Sequence, residues 1–212
     1  MFRITKAVFL ILGFSLVAGC KRLDGDTVCE GTVVDRATQA RIADATVGVY
    51  VKGSSGGGLG GGYVLKETHT ADGAGNFAFQ INDNESQLLL RAFTDQGYET
   101  IWQEALDLRA GRNNKKLVLK AQAPAWVRVR FRDQLPLDSA FVRVWGSIDE
   151  GPGFYSWLAR DTSIVYWAPG NHNTSLYWEI RTVRGDPNAP VRTGSQTVFT
   201  PGLDTVAVEV NY

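Results

Sequence analysis

The chain of 212 residues is short of the residue types on which most catalytic and metal sites depend. It contains two cysteines, two histidines and one methionine. Structural zinc sites use sets of Cys and His ligands, and a Ser-His-Asp triad needs a histidine beside its nucleophile. Neither His69 nor His172 stands in such a pattern. The sequence therefore predicts a protein that is not an enzyme, with no catalytic residue, no cofactor and no metal site.

The sequence also has no excess of either charge, because it contains 22 basic and 22 acidic residues. Domains that bind nucleic acid concentrate basic charge on one surface, so we expect no nucleic-acid partner. Long hydrophobic runs are equally scarce. The one apolar run, residues 7–18, is shorter than the roughly 20 residues that a membrane-spanning helix needs.

That apolar run follows Arg3 and Lys6 and ends on small residues, which is typical of a secretion signal. Its last residues, Val17-Ala18-Gly19-Cys20, resemble the lipobox of bacterial lipoproteins. The resemblance implies a signal peptide at 1–19, and a diacylglycerol and a further acyl chain, such as palmitate, on Cys20. Several acyl chains hold a protein on a membrane almost irreversibly. Residues 20–27 would then form a lipidated tether.

The residue after the lipidated cysteine is basic. Lys21 in this position resembles lipoproteins that are sent on to the outer membrane of Gram-negative bacteria. We therefore predict a lipid-anchored outer-membrane protein, on either the periplasmic or the surface-facing side. Only Cys29 remains after lipidation, so no intramolecular disulfide is expected, and the alternating stretch around Cys29 predicts a buried structural thiol.

Apolar and polar residues alternate with a period near two along the rest of the chain, which predicts an all-β fold. The first half should contain seven strands and form a β-sandwich. These strands are predicted at 28–35, 46–52, 63–70, 76–81, 86–93, 98–104 and 115–120.

Four segments in this half resemble the bacterial carboxypeptidase-regulatory-like domain, a transthyretin-like β-sandwich. They are Gly31-Thr-Val-Val-Asp35, Ile42-Ala-Asp-Ala-Thr-Val47, Thr70-Ala-Asp72-Gly-Ala-Gly75-Asn-Phe77-Ala-Phe79 and Gly97-Tyr98. The resemblance implies a small non-catalytic module over residues 28–120. Asp72 and Gly75 should form a tight turn between two strands.

The second half, residues 121–212, contains every tryptophan except Trp102. It again alternates through about seven runs, which predicts a second sandwich, immunoglobulin-like or transthyretin-like. These runs are predicted at 126–132, 139–147, 154–160, 163–167, 175–184, 193–200 and 205–211. In the first of them, Trp126 and three arginines alternate with Val127, Val129 and Phe131, so one face should be core and the other cationic.

Aromatic rings cluster near two Gly-Pro loops of this half. Tyr155, Trp157, Tyr166 and Trp167 are the candidate ligand-binding residues, because flat rings stack on sugars or anchor protein partners. A glycan or an envelope protein is the expected partner. The competing interpretation is that a disulfide-free sandwich uses these large side chains to fill its core.

Two further patterns in the sequence concern a glycine-rich segment and three candidate modification sites. Gly53 to Gly62 holds seven glycines and is expected to form a mobile hairpin tip rather than a phosphate-binding loop. Thr27, Ser139 and Thr205 each follow an aspartate and resemble the O-glycosylation acceptors of exported Bacteroidota proteins, although Asp-Thr before a strand is also ordinary turn chemistry.

Together these features predict a non-catalytic, lipid-anchored cell-envelope protein that acts as an interaction or carbohydrate-binding accessory module. The alternative is a structural, pilin-like or assembly lipoprotein that polymerises through an exchanged strand. The sequence leaves the ligand and the oligomeric state open.

Overall fold

The structure is a computed structural model that describes residues 25–53, 62–82, 87–132, 140–146, 154–158, 162–181 and 191–211. Across these residues its regular structure consists of fourteen strands and one short 3-10 turn at Trp102–Glu104. The predicted all-β fold is confirmed. Cys20, Ser139 and most of the predicted glycine-rich tip lie outside the described residues.

Within the part of the chain that is described, no helix has the length and hydropathy needed to cross a bilayer.

The first seven strands form two facing sheets. One sheet has the order β4-β1-β7 and the other β3-β2-β5-β6. Val33, Val47 and Leu90 are fully buried in the core that these strands share, and each such side chain contributes roughly 1.5–3 kcal/mol on burial. The strands are β1 Thr27–Asp35, β2 Thr46–Lys52, β3 Tyr63–Thr70, β4 Asn76–Ile81, β5 Leu88–Phe93, β6 Leu106–Leu108 and β7 Asn113–Ala121.

The other seven strands form a second pair of sheets, in the orders β11-β8-β14 and β10-β9-β12-β13. They enclose a separate core that includes Val129, Phe131 and Ile180. The strands are β8 Pro124–Arg132, β9 Ala140–Gly146, β10 Phe154–Leu158, β11 Thr162–Pro169, β12 His172–Arg181, β13 Val191–Thr200 and β14 Thr205–Asn211.

Both halves follow one strand order. Counted within each half, the sheets read 4-1-7 and 3-2-5-6, and the first strand is antiparallel to the fourth and parallel to the seventh. An immunoglobulin sandwich instead places its first strand beside its second. The second half therefore does not have the strand order of an immunoglobulin domain. It repeats the strand order of the first half.

The predicted turn between β3 and β4 is confirmed. Asp72 accepts hydrogen bonds on Oδ1 from the backbone N–H groups of Ala74 and Asn76, and these bonds hold its pKa below the usual range. Gly75 has a φ of 74°, and a Cβ there would lie 2.9 Å from the Ile42 carbonyl oxygen. Only glycine meets both conditions without strain.

The strand predicted at 98–104 is wrong. Glu99 makes only isolated bridges, the chain turns at Trp102–Glu104, and the sixth strand is Leu106–Leu108. The reason lies at Thr100, whose hydroxyl accepts from the Ala92 N–H at 2.9 Å while its carbonyl accepts from the Arg91 guanidinium. These side-chain bonds take the place of a regular ladder. In the second half, β12 begins at His172, earlier than predicted.

A short polar joint links the two halves. Gln122 donates from Nε2 to the Gly170 carbonyl at 2.9 Å. Asn171 donates from Nδ2 to Oδ2 of the buried Asp35 at 3.1 Å, and its Oδ1 accepts from the Gly202 N–H at 2.9 Å. The loop between β11 and β12 is thus bonded both to the linker and to the first half.

Candidate aromatic binding faces

The four predicted ligand-binding residues lie in two different sheets. Tyr155 and Trp157 belong to β10, where the register pairs them with Arg143 and Phe141 of β9. Tyr166 and Trp167 belong to β11, in the facing sheet. The side chains of Tyr155 and Trp157 lie outside what the structure describes.

Tyr166 and Trp167 also point to opposite faces of their strand, as neighbours in a β-strand do. Tyr166 packs against the second core, and its buried hydroxyl has no hydrogen-bond partner among the described residues. Burial raises the pKa of this phenol. Trp167 is 51% exposed. The prediction that Tyr166 belongs to an exposed binding group is therefore wrong, because Tyr166 packs against the core. Trp167 is exposed and can contact a ligand.

Trp167 has a neighbour on the face of β8 that the sequence predicts to be cationic. The register pairs Trp167 with Trp126, and Val165 with Arg128, so each pair lies side by side on one face of the sheet. Val127 and Val129 are fully buried on the opposite face, which confirms the predicted two-faced strand. We call this surface the Trp–Arg face and define it as Trp126, Arg128, Arg130, Val165 and Trp167.

Arginines dominate the charge of the Trp–Arg face. The described strands of this sheet, β11, β8 and β14, carry three basic residues and one acidic residue. That acid, Glu209, lies in register with Arg130 and is ion-paired with Arg132 at 3.8 Å. A shallow groove along the face is lined by Arg128, Arg130, Arg132, Thr162 and Ser163.

A second aromatic cluster, which the sequence alone did not predict, lies on the outer face of the first half. The guanidinium of Arg91 lies 3.7 Å from the centroid of the Trp102 ring and 5.6 Å from that of Tyr50. Tyr63 stacks on Trp102 with ring centroids 6.2 Å apart. The only available signal was that Trp102 is the one tryptophan of the first half. Arg91 covers one side of the Trp102 ring, and Trp102 as a whole is 47% exposed.

Aromatic side chains also occupy the sheet that holds β10. Trp145 and Tyr177 stack with ring centroids 6.2 Å apart, and Arg181 donates to Glu179 beside them. Tyr177, Glu179 and Arg181 alternate along β12 with Trp178 and Ile180, and Ile180 is 3% exposed. Arg181 and Glu179 form an ion pair at this surface.

Two titratable side chains of the first half, Cys29 and His69, pack against neighbouring residues. Cys29 is fully buried, as predicted, and burial raises the pKa of its thiol to about 12. His69 stacks on Phe79 with ring centroids 3.8 Å apart, and its Nε2 lies 3.3 Å from Glu67 Oε1. In the residues that the structure describes, no three His, Cys, Asp or Glu side chains come together as metal ligands would.

Two of the three candidate O-glycosylation residues are described. Thr27 is fully buried, and its Oγ1 accepts from the Gly111 N–H at 2.8 Å, so a glycan there would require β1 to open. Thr205 is exposed at the start of β14. It is the more accessible of these two.

No protein-family model and no curated protein matches the chain. Similar solved structures include the Bacillus anthracis TIE protein, at 13% identity and a TM-score of 0.34, covering 88% of this chain and 34% of that one. A DUF3823 family protein from Bacteroides uniformis has 11% identity and a TM-score of 0.30 over 83% of this chain and 100% of its own. The minor pilin of Streptococcus agalactiae has 11% identity and a TM-score of 0.31 over 86% and 94%.

This chain therefore spans about a third of the length of the TIE protein. Likenesses at such low identities and TM-scores bear on neither activity nor partner.

Proposed function

We propose that the chain is a non-catalytic, lipid-anchored protein of the outer membrane that binds glycans through its Trp–Arg face. The observation that carries the proposal is the pairing of Trp167, 51% exposed, with Trp126 on an outer sheet face. Two indoles side by side offer flat apolar area at a small cost in side-chain entropy, which suits stacking against sugar rings.

The predicted lipid anchor supports this role because only a short tether separates Cys20 from the first strand. Cys20 precedes Thr27, the first residue of β1, by seven positions. Even fully extended, that tether reaches only about 25 Å. A chain lipidated at Cys20 would hold its first sandwich close to the membrane and present the second sandwich beyond it.

Lipidation is tested by labelling expressing cells with a palmitate analogue. Wild-type chain and Cys29→Ala should take up the label, and Cys20→Ser should not. Fractionation should then place the labelled chain in the outer membrane. Label on Cys20→Ser, or recovery in the inner membrane, contradicts this part of the proposal.

Glycan binding is tested with the full chain in detergent, by affinity electrophoresis against neutral and acidic polysaccharides. Trp167→Ala should weaken binding at least tenfold. Phe199→Ala is the matched control, because Phe199 is a comparably exposed aromatic, 56% accessible, on the other sheet. Failure of every polysaccharide to bind, or equal loss in both variants, overturns the proposal.

The structural alternative, a pilin-like or assembly lipoprotein, makes a different prediction. Strand exchange would give SDS-resistant ladders whose pattern does not depend on protein concentration. In this chain β14 already completes its own sheet beside β8, so an incoming strand would have to displace it. Gel analysis of the purified chain distinguishes the two roles.

A further inference from the structure

We infer that the Trp–Arg face selects acidic polysaccharides, chains whose sugar rings carry carboxylate or sulfate groups. The inference rests on the proposed function and adds the chemical class of the ligand. It follows from the charge that surrounds the tryptophan pair rather than from the rings themselves.

The positive charge of the face exceeds what its own acidic residue balances. Glu209 is the one acidic side chain on the described strands of this sheet, against Arg128, Arg130 and Arg132. It pairs with Arg132. The chain as a whole is neutral, so the excess is local, and a partner of opposite charge would complete the surface.

The arrangement of the arginines favours an extended polyanion over a single ion. They occupy alternate positions of β8 and therefore follow one another about 6.7 Å apart along the strand. Trp126 is the preceding member of the same row. A polymer lying along β8 would place a ring against the two indoles and successive anionic groups against the guanidinium groups.

The chemistry of the groove fits carboxylates and sulfates. A guanidinium donates two parallel hydrogen bonds to a planar carboxylate, which gives both strength and orientation. Thr162 and Ser163 line the same groove, and their hydroxyls can donate to or accept from sugar hydroxyls. A neutral glycan would supply no counter-charge to the guanidinium groups of Arg128 and Arg130.

Single-stranded nucleic acid uses a related combination of aromatic rings and cations. The acidic polysaccharide is favoured because the proposed function already assigns the two indoles to sugar rings, and the chain as a whole has no excess of basic charge. An oligothymidylate is therefore included in the test as the competing class.

The experiment compares polygalacturonate with its fully methyl-esterified form, which has the same backbone without the charge. With the full chain in detergent, we expect at least tenfold tighter binding of the acidic form, weakened by added salt. Arg128→Gln/Arg130→Gln should lose this preference. Arg109→Gln/Arg112→Gln is the matched control, because it removes the same charge from two exposed residues between β6 and β7.

The outcomes separate this inference from the proposed function. Equal binding of both polymers, lost in Trp167→Ala, leaves the glycan-binding function in place and overturns the acidic preference. An unchanged preference in the Arg128→Gln/Arg130→Gln variant also overturns it, as does tighter binding of oligothymidylate than of polygalacturonate. Binding of no polymer overturns both.

Discussion

At the scale of single residues, the hydroxyl of Tyr166 is the polar group that the second core accommodates least well. It is buried and has no partner among the described residues. An unsatisfied buried hydroxyl costs on the order of 1–3 kcal/mol. Tyr166→Phe should therefore raise the free energy of unfolding by about 1 kcal/mol in urea titrations.

The matched control for this prediction is Tyr177→Phe. Tyr177 is exposed, so its hydroxyl is solvated and its loss should leave stability unchanged. If Tyr166→Phe instead destabilises the protein, the hydroxyl has a partner that the described residues do not include.

Cys29 gives stability a pH dependence in the alkaline range. Burial raises the pKa of its thiol from 9.0 to about 12, and the charge of Glu67 adds to the effect. The unfolded chain thus loses this proton at a lower pH than the folded chain. The free energy of unfolding should fall as pH rises from about 9 towards 12, by up to ~1.4 kcal/mol per pH unit.

The measurement is the slope of unfolding free energy against pH above pH ~9, in wild type and in Cys29→Ala. The variant loses this thiol and should have the shallower slope, whatever its absolute stability. Parallel slopes in the two proteins would mean that the thiol ionises equally in both states.

At the scale of elements, the turn at Trp102–Glu104 stands where the sequence predicts the end of a strand at 98–104. Trp102 and Trp167 are similarly exposed, at 47% and 51%, but only Trp102 stacks on the guanidinium of a buried arginine. Trp102→Ala should cost about 1–2 kcal/mol of stability through the lost cation–π contact. Trp167→Ala, the control, should cost less than about 0.5 kcal/mol.

Urea unfolding of both variants measures this difference. Equal losses would mean that the Arg91–Trp102 stack contributes nothing to stability.

Much of the strand pattern was predictable because alternation reports which face of a strand is buried. In β8, the alternation of arginines with Val127 and Val129 predicted both faces correctly. It failed at 98–104, where Thr100 bonds through its side chain and Trp102 folds onto Arg91. Contacts between residues distant in sequence carry no periodic signal.

The candidate site was predictable only in part for a related reason. Proximity to Gly-Pro loops grouped Tyr166 with Trp167, although a strand sends neighbouring side chains to opposite faces. The pairing of Trp167 with Trp126 depends on register across β11 and β8, which sequence alone does not determine. The cationic character of the face was predictable, because its arginines all lie within one strand, β8.

At the scale of the whole molecule, one strand order is used twice with different surfaces. The central strand of the three-stranded sheet is β1 in the first half and β8 in the second. On exposed or half-exposed positions β1 carries Glu30 and Thr32, whereas β8 carries Arg128 and Arg130. At corresponding positions the repeated fold therefore carries an acid and a hydroxyl in the first half and two arginines in the second, which fits the proposal that the second half binds the ligand while the first acts as a spacer.

A spacer orients a binding face only if the joint between the halves is firm, and Asn171 is central to that joint. Its side chain bonds to Asp35 of the first half and to Gly202, and its φ is 55°.

Asn171→Gly keeps this backbone conformation and removes both side-chain bonds. It should lower unfolding free energy by about 1–3 kcal/mol and increase the radius of gyration in X-ray scattering. Lys116→Gly, at another residue with φ near 60°, should leave the radius unchanged. A wild-type chain whose halves already tumble independently in NMR relaxation would show that these bonds do not fix the orientation of the second sandwich.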